Sequence, residues 1–400
     1  KLLDDFSDVF VEKDGVKSKR TDELKNGDYV VLPSKLPENN IIEEINLAKE
    51  LTNSVSSNYK KSLLIKEVPE TVFSEKKEEL YKYYRENYNH PNQAYYEHKN
   101  KKILPLALYQ ILSENELKNC FIGTTSSHKV PTFLTINKEL ARFLGFYVAE
   151  GWLYDYKSYG VSFSLNKNEL NIIAELKSAV KKCFNLETYV EPAFENGVKV
   201  KVGGMILWLI MKDIFKVKKG AKIKRVPELI FNIERGLQTE FVNAWHAGDY
   251  STTVSEELAN DISYLALFNE DIAAFYKSKP KKTIIKGREI KTSGAYYSNF
   301  YAREVQKPYP SMIPIALFNP LNKTHYRLKN QRIWKDRLLN ILNDERYKNF
   351  ENASSAPKKF ILEWEKRGFV KDNVLTEQGK KLLDEIYFVK KLTESDFCFA

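Results

Sequence analysis

Only three cysteines occur in the chain, and Cys120, Cys183 and Cys398 lie too far apart to form a disulfide framework or a metal-ligand spacing. A disulfide-stapled secreted scaffold is therefore excluded. A reducing setting is expected, taken here as the cytoplasm, in association with the nucleoid. The few histidines carry no metal signal: His90, His98 and His128 have no ligand spacing and are expected in loops. No apolar run approaches membrane-spanning length and no signal peptide opens the chain, so no membrane partner is expected. The chain also begins without methionine, at Lys1, and is expected to be a processed or excised piece.

What the sequence has in quantity is positive charge and aromatic rings. It carries 63 Lys and Arg against 53 Asp and Glu, a formal charge of +10, with 24 Tyr and 23 Phe. A basic, tyrosine-rich chain suits a nucleic-acid partner through phosphate neutralisation. Lysine-rich compositions also serve solubility and thermal stability, so charge alone does not decide. At 400 residues, two to four domains are expected.

Two segments organise the rest. Residues 137–152 read NKELARFLGFYVAEGW, and residues 236–250 read GLQTEFVNAWHAGDY. Leu140, Phe143, Leu144, Tyr147 and Val148 recur at helical spacing in the first, and Phe241, Val242 and Trp245 do so in the second. Each also carries small residues four apart, Gly145 and Ala149, then Ala244 and Gly248, which form a flat strip along one helix face. With the strips face to face, Glu150 and Asp249 emerge together at one end of the pair. Each carboxylate then sits at the negative end of a helix dipole and repels the other unless a cation lies between them. Hard oxygen ligands of this kind point to a divalent-metal site suited to Mg²⁺ (or Mn²⁺).

The flanks repeat as well. Val130-Pro131 leads into the first segment and Val226-Pro227 into the second. After each comes a short polar stretch and an amphipathic helix, with Asn168 and Ser255 as the expected N-caps. Two diverged copies of one unit imply a pseudo-two-fold core.

LGFYVAEG (144–151) and FVNAWHAGD (241–249) resemble the paired signature helices of the LAGLIDADG homing endonucleases. The resemblance covers residues 130–325 strongly and residues 15–33 weakly. It implies an α+β fold with a pseudo-two-fold core of two αββαββα-like halves, about 131–225 and 226–325, whose sheets form a saddle over duplex DNA. Around this core are expected a small β-rich piece at 1–33, a helical connecting and DNA-contact region at 34–130, and a helical, winged-helix-like module at 326–400. LKNGDYVVLP (24–33) resembles part of an intein splicing domain, and such endonucleases are often inserted in inteins. The chain opens without a Cys or Ser nucleophile and ends SDFCFA rather than His-Asn, so it is not expected to splice itself.

The activity implied is metal-dependent hydrolysis of both strands at a long, specific site in double-stranded DNA, by a monomer, with an archaeal source suggested by the Lys- and Ile-rich composition. Glu150 and Asp249 are the expected metal ligands and catalytic acids, since carboxylate-held metal can supply an activated water and charge stabilisation. Family members place a lysine near each scissile phosphate. Lys224, in KIKRVP, matches one position, and Lys323, in NPLNKTH, matches the other, with Lys329 as runner-up. Strand-like segments carry the candidate DNA contacts Lys199 and Lys201 in the first half, and Lys282, Lys286, Arg288, Lys291 and Arg303 in the second. Solvated edge strands are the alternative reading of these lysines and arginines. Tyr250 and Ala244 replace usual glycines; Tyr250 is expected to crowd the turn after Asp249, weakening cleavage while sparing DNA binding. No catalytic role is assigned to His246. The rival readings are a LAGLIDADG-derived DNA-binding regulator, an inactive intein remnant and an RNA-maturation protein.

Overall fold

The computed structural model describes residues 8–12, 16–20, 23–33, 40–193, 195–249, 251–268, 273–280, 282–285, 288–291, 294–300 and 312–314. Beyond these it describes 362, 364–366, 368–372, 374–383 and 387–391. The chain is a mixed helix-and-sheet protein with small antiparallel sheets. It divides into two compact units, Glu38–Ile262 with Lys277–Tyr297, and Lys1–Pro37 with Ser263–Tyr276 and Ser298–Ala400. Among the described residues no helix is long and apolar enough to cross a membrane.

The first unit is built on helix α1 (Lys138–Glu150). Asn137 caps it by accepting from the Leu140 N–H at 2.9 Å, and the helix stops at Gly151. Nine of its thirteen residues are buried, because partners cover it on more than one side. Strands β1 (Gly151–Tyr154) and β2 (Gly160–Asn166) follow, then helix α2 (Leu170–Phe184), then β3 (Tyr189–Pro192) and β4 (Gly197–Gly203). They form an antiparallel sheet in the order β1-β2-β4-β3. Alternation along β2 and β4 sends Val161, Phe163, Val200 and Val202 inward. There Phe163 meets the edges of Phe143 and Tyr147 on α1, and Phe184 of α2 closes on Phe143. This is the α–β–β–α–β–β order expected of the first half.

Helix α3 (Arg235–Asp249) packs along α1, and helix α4 (Glu256–Phe268) follows it closely. Here the second half departs from the first. A complete hairpin separates α1 from α2, whereas among the described residues only the strand Thr252–Thr253, paired to Tyr297 and Tyr296, separates α3 from α4. Lys282–Ile285 and Arg288–Lys291 pair with each other as two antiparallel strands, with Lys-Gly between them in sequence. Ser255 is the N-cap of α4 as expected, accepting from the Leu258 N–H at 3.2 Å. Asn168 is not a cap: α2 is preceded by Glu169, and the Asn168 N–H is bound by Asn166 Oδ1 at 3.0 Å.

The stretch expected as a helical connection, 34–130, is more than that. From residue 40 onward it holds a four-stranded sheet in the order Ile103–Pro105, Leu64–Lys66, Phe121–Gly123, Lys129–Pro131. Its helices Leu47–Ser54, Lys77–Asn87 and Pro91–Lys101 share a core with that sheet, including Leu51, Ile65, Phe73, Leu80, Leu104 and Ile122. His98 is helical rather than in a loop, and its Nδ1 lies 2.6 Å from the Tyr84 hydroxyl. Burial holds that imidazole below its ordinary value.

In the second unit, strands Met312–Pro314, Tyr387–Lys391, Tyr29–Pro33, Asp8–Glu12 and Val16–Arg20 form one antiparallel sheet in that order. The sequence also predicts turns at Asp14-Gly15, which lies outside the described residues, and at Asn26-Gly27, where Gly27 adopts φ +96°. The pairing of Tyr29–Pro33 with Tyr387–Lys391 joins segments from opposite ends of the chain. Tyr387–Lys391, expected within the module at 326–400, thus share a sheet with the β-rich piece expected at 1–33. A small antiparallel pair, Val370–Lys371 with Val374–Leu375, precedes helix Glu377–Leu383.

Candidate metal and active centre

Glu150 and Asp249 are the last residues of α1 and α3. What brings them together is the small-residue strip. A methyl group on Gly145 would sit 2.4 Å from the Phe241 carbonyl oxygen and 2.8 Å from Ala244 Cβ. One on Gly248 would sit 2.6 Å from Ala149 Cβ and 3.5 Å from Glu150 Cγ. The helices touch backbone to backbone along the faces expected from sequence, and their acidic ends are neighbours. Gly151 serves a related purpose, since a side chain there would strike the Tyr147 backbone of the preceding turn.

A cation already stands beside the acids. Lys224 donates from Nζ to the carbonyls of Ala149 at 2.9 Å and Tyr147 at 3.3 Å. It thus places positive charge on the negative end of the α1 dipole. Its backbone is fixed from α4. Ser255 Oγ donates to the Lys224 carbonyl at 2.7 Å, while the next residue, Arg225, donates from Nε (3.0 Å) and Nη2 (2.9 Å) to the buried Asp261 carboxylate. Asp261 also accepts the Val226 N–H at 3.1 Å.

Burial raises both acids. Glu150 is pushed up to about 7 by desolvation and then by the Asp249 charge, against the pull of Lys224. Asp249 is pushed up to about 6 by desolvation, again opposed by Lys224. Burial lowers Lys224 itself, while the two carboxylates hold it up. One ammonium therefore does not compensate two half-buried carboxylates, and this donor set fits an added divalent cation. Among the described residues no group of three or more His, Cys, Asp or Glu side chains converges. Any metal held here takes its remaining ligands from elsewhere.

The raised values set a pH dependence for the metal-free protein. Both acids bind protons more tightly folded than unfolded. Their stabilisation is complete below the ordinary values of 4.5 and 3.8 and is lost as pH rises through about 7. Thermal melts in a chelator are expected to show a loss of stability over that window. The loss should be smaller in Glu150→Gln, and Mg²⁺ or Mn²⁺ should reverse it at pH 7.5. Equal pH slopes for wild type and variant would contradict this electrostatic picture.

Sequence reasoning missed the polar clamp at the other end of the helix pair. Arg142 of α1 donates to Glu175 of α2 through Nε and, at 2.9 Å, through Nη2, and to Glu240 of α3 through Nη1 at 3.0 Å. Lys138 adds a second bond to Glu240 at 2.9 Å. An arginine inside an otherwise apolar helix was the available signal, because such a charge is rarely buried without partners. Arg142→Ala is expected to destabilise the chain by about 2 kcal/mol, reduced by partial exposure from the cost of breaking a fully buried pair. Arg142→Lys should recover only part, since an ammonium cannot span both acids. Urea midpoints check both.

Of the other expected contacts, Lys199 and Lys201 share the outer face of β4, and Lys282 is exposed at the start of its hairpin. Arg288 and Lys291 lie on the opposing hairpin strand, at register positions facing Ile285 and Lys282. Lys286, Arg303, Lys323, Lys329 and Tyr250 lie outside the described residues. His246 is exposed and bonds to Ser251 Oγ, which leaves it outside the acidic pair.

No family model matches the chain. Over 277 residues, 64% of its length, it is 28% identical to the DNA polymerase II large subunit of Thermococcus kodakarensis, of which it spans 14%. It is 27% identical over 165 residues to an uncharacterized protein of Methanocaldococcus jannaschii, covering 40% of this chain and 21% of that protein. A DNA polymerase of Thermococcus aggregans is 25% identical over 228 residues, 48% of this chain and 11% of the polymerase. The chain thus spans a minor part of each of these relatives. Among solved structures it is similar to I-DmoI in complex with DNA and Ca, with a TM-score of 0.30 and 12% identity over 42% of this chain and 84% of that one. An I-DmoI variant in complex with nicked target DNA and Mn is similar at a TM-score of 0.28 and 10% identity, covering 42% of this chain and 90% of that one.

Proposed function

We propose that this chain is a site-specific double-stranded DNA endonuclease of the LAGLIDADG homing type, carried within an intein-type setting and acting as a monomer. The observation that carries this reading is the meeting of Glu150 and Asp249 at the ends of two helices in backbone contact, with Lys224 beside them and their charge incompletely balanced. Glu150 and Asp249 would hold a divalent cation, Mg²⁺ or Mn²⁺. A metal bound there supplies an activated water and stabilises charge on the phosphoryl oxygens. Lys224 holds a proton at Nζ beside the acids, suited to steady charge developing on a phosphate. Ser255 and Asp261 hold the Lys224 backbone in place. Lys199, Lys201, Lys282, Lys286, Arg288, Lys291 and Arg303 are proposed to contact DNA, and Lys323 to serve the second scissile phosphate. The intein-type setting draws support from the sheet that joins Tyr29–Pro33 to Tyr387–Lys391.

The test is incubation of the full chain with a randomised duplex library and Mg²⁺, with a chelator control, followed by sequencing of the cut ends. Cuts at a recurring sequence in both strands, absent in chelator, are expected. A chain that retains particular duplexes but never cuts them would instead be a DNA-binding regulator. The small hairpin and helix at Val370–Leu383 favour that second reading.

A further inference from the structure

The two acidic helices end differently. Tyr147 of α1 and His246 of α3 hold the same place, three residues before Glu150 and Asp249. In the first half the chain leaves Glu150 through Gly151, where a side chain would lie 2.5 Å from the Tyr147 ring, and β1 starts at once. In the second half Tyr250 follows Asp249, and the strand starts only at Thr252. Just before that strand, Ser251 is buried with its backbone in the left-handed region, at φ +59°. A serine keeps that conformation only where its surroundings impose it, and such residues cluster at functional sites. The Ser251 hydroxyl is joined by a hydrogen bond to His246 Nδ1, across the last turn of α3. Ser251 also stands on the short path between two parts of the centre. Asp249 lies at one end of it, and at the other Ser255 Oγ donates to the Lys224 carbonyl at 2.7 Å. The far end is pinned, because Thr253 Oγ1 accepts the Ser255 N–H at 3.0 Å and Thr252–Thr253 pairs with Tyr297 and Tyr296.

We propose that His246 and Ser251 form a latch that positions Asp249 for metal binding in the half that lacks the glycine exit. This rests on the active-centre reading above. Both are positioning residues: they act through the backbone of residues 249–251 and do not ligate the ion. The last carbonyls of a helix have no intrahelical partner, and its end frays unless something outside the helix holds it. A carboxylate that shares one cation with a second helix tolerates little fraying, since ligands need placement within about 0.5 Å. In the first half Gly151 lets the chain pass directly beneath Tyr147 into β1. With a tyrosine in the corresponding place, the second half takes a left-handed step at Ser251, and His246 fixes that step to the helix that carries the acid.

The test is Mn²⁺ binding to the full chain, read from the electron paramagnetic resonance signal of the free ion. Wild type is compared with His246→Ala, Ser251→Ala, the double alanine variant and His246→Asn, and melts in chelator establish that each is folded. Each alanine variant should bind Mn²⁺ more weakly on the order of tenfold, the usual effect of removing a group that orients a metal ligand. The double variant should bind no more weakly than either single one, because the two side chains make one contact. His246→Asn, whose amide reaches Ser251 from nearly the position of Nδ1, should recover most of the affinity. In single-turnover cleavage the Mn²⁺ concentration for half-maximal rate should rise by the same factor, while the rate at saturating Mn²⁺ stays that of wild type. Unchanged Mn²⁺ affinity in both single variants, or losses that multiply in the double variant, would overturn the inference. Asp249→Asn separates this result from the reading beneath it. If wild type binds no Mn²⁺, or Asp249→Asn binds it as tightly as wild type, the metal centre itself has failed and the latch falls with it.

Discussion

Asp249→Asn is expected to lower the single-turnover rate of duplex cleavage on the order of 10³-fold or more, while the metal-free chain melts at the same temperature or higher. The two halves of that expectation have one cause. Asparagine keeps the shape of the aspartate at the end of α3 but cannot supply the negative charge that a divalent cation needs. The same charge burdens the fold, because desolvation pushes Asp249 up to about 6 and its repulsion helps push Glu150 up to about 7. Removing it relieves that repulsion and leaves Lys224 to pair with Glu150 alone. Single-turnover kinetics on a selected site, beside a thermal melt in chelator, separate the two effects. A variant that loses both cleavage and stability would show that Asp249 supports the fold instead. A variant that still cuts would remove it from the active centre.

Gly145→Leu is expected to destabilise the chain by about 3 kcal/mol or more and to abolish cleavage with it. In an open helix, exchanging glycine for a larger residue gains up to about 1 kcal/mol of backbone propensity. At Gly145 the first added carbon already lies 2.4 Å from a backbone oxygen of α3 and 3.1 Å from the Trp245 nitrogen, and backbone cannot rotate out of the way. Overpacking costs typically about 1–3 kcal/mol, and here the whole helix pair must part. Parting moves Glu150 from Asp249, so activity should vanish even where the variant remains folded. Gly236→Ala is the control. Its methyl group would meet only the Glu234 carboxylate at 3.2 Å, the far end of a flexible side chain. That variant should be neutral or slightly more stable. Equal urea midpoints for Gly145→Leu and wild type would contradict the close approach of the helices.

The parts legible in the sequence were those in which local pattern and chemistry coincide. Residues 137–152 and 236–250 combine helical periodicity, small residues four apart and a terminal acid, and the structure puts their small residues in contact. Lys224 was placed by resemblance to a family, and the structure sets it against the α1 carbonyls. The parts that were not legible depend on partners distant in sequence. Strands such as Leu64–Lys66 and Phe121–Gly123 are three residues long, too short for alternation to show, and exist because they pair. Tyr29–Pro33 shows an apolar strand, but nothing local to it names Tyr387–Lys391 as its neighbour. The Lys282–Lys291 pairing did carry a local signal, a glycine-containing two-residue spacing between strand-like runs. Repetition of the flanks suggested two diverged copies of one unit. Among the described residues the segment from α3 to α4 holds the strand Thr252–Thr253 where a hairpin stands between α1 and α2.

The claim that Glu150 and Asp249 hold one cation jointly is tested most directly by loading the full chain with Fe²⁺ in place of Mg²⁺. Ascorbate and peroxide are then added, and mass spectrometry locates the backbone cuts made by radicals generated at the bound ion. The account predicts cuts clustered at both helix ends, near residues 149–151 and 248–249, and loss of both clusters together in Asp249→Asn. Cuts at one helix end only, or clusters that survive the substitution, would contradict a shared site.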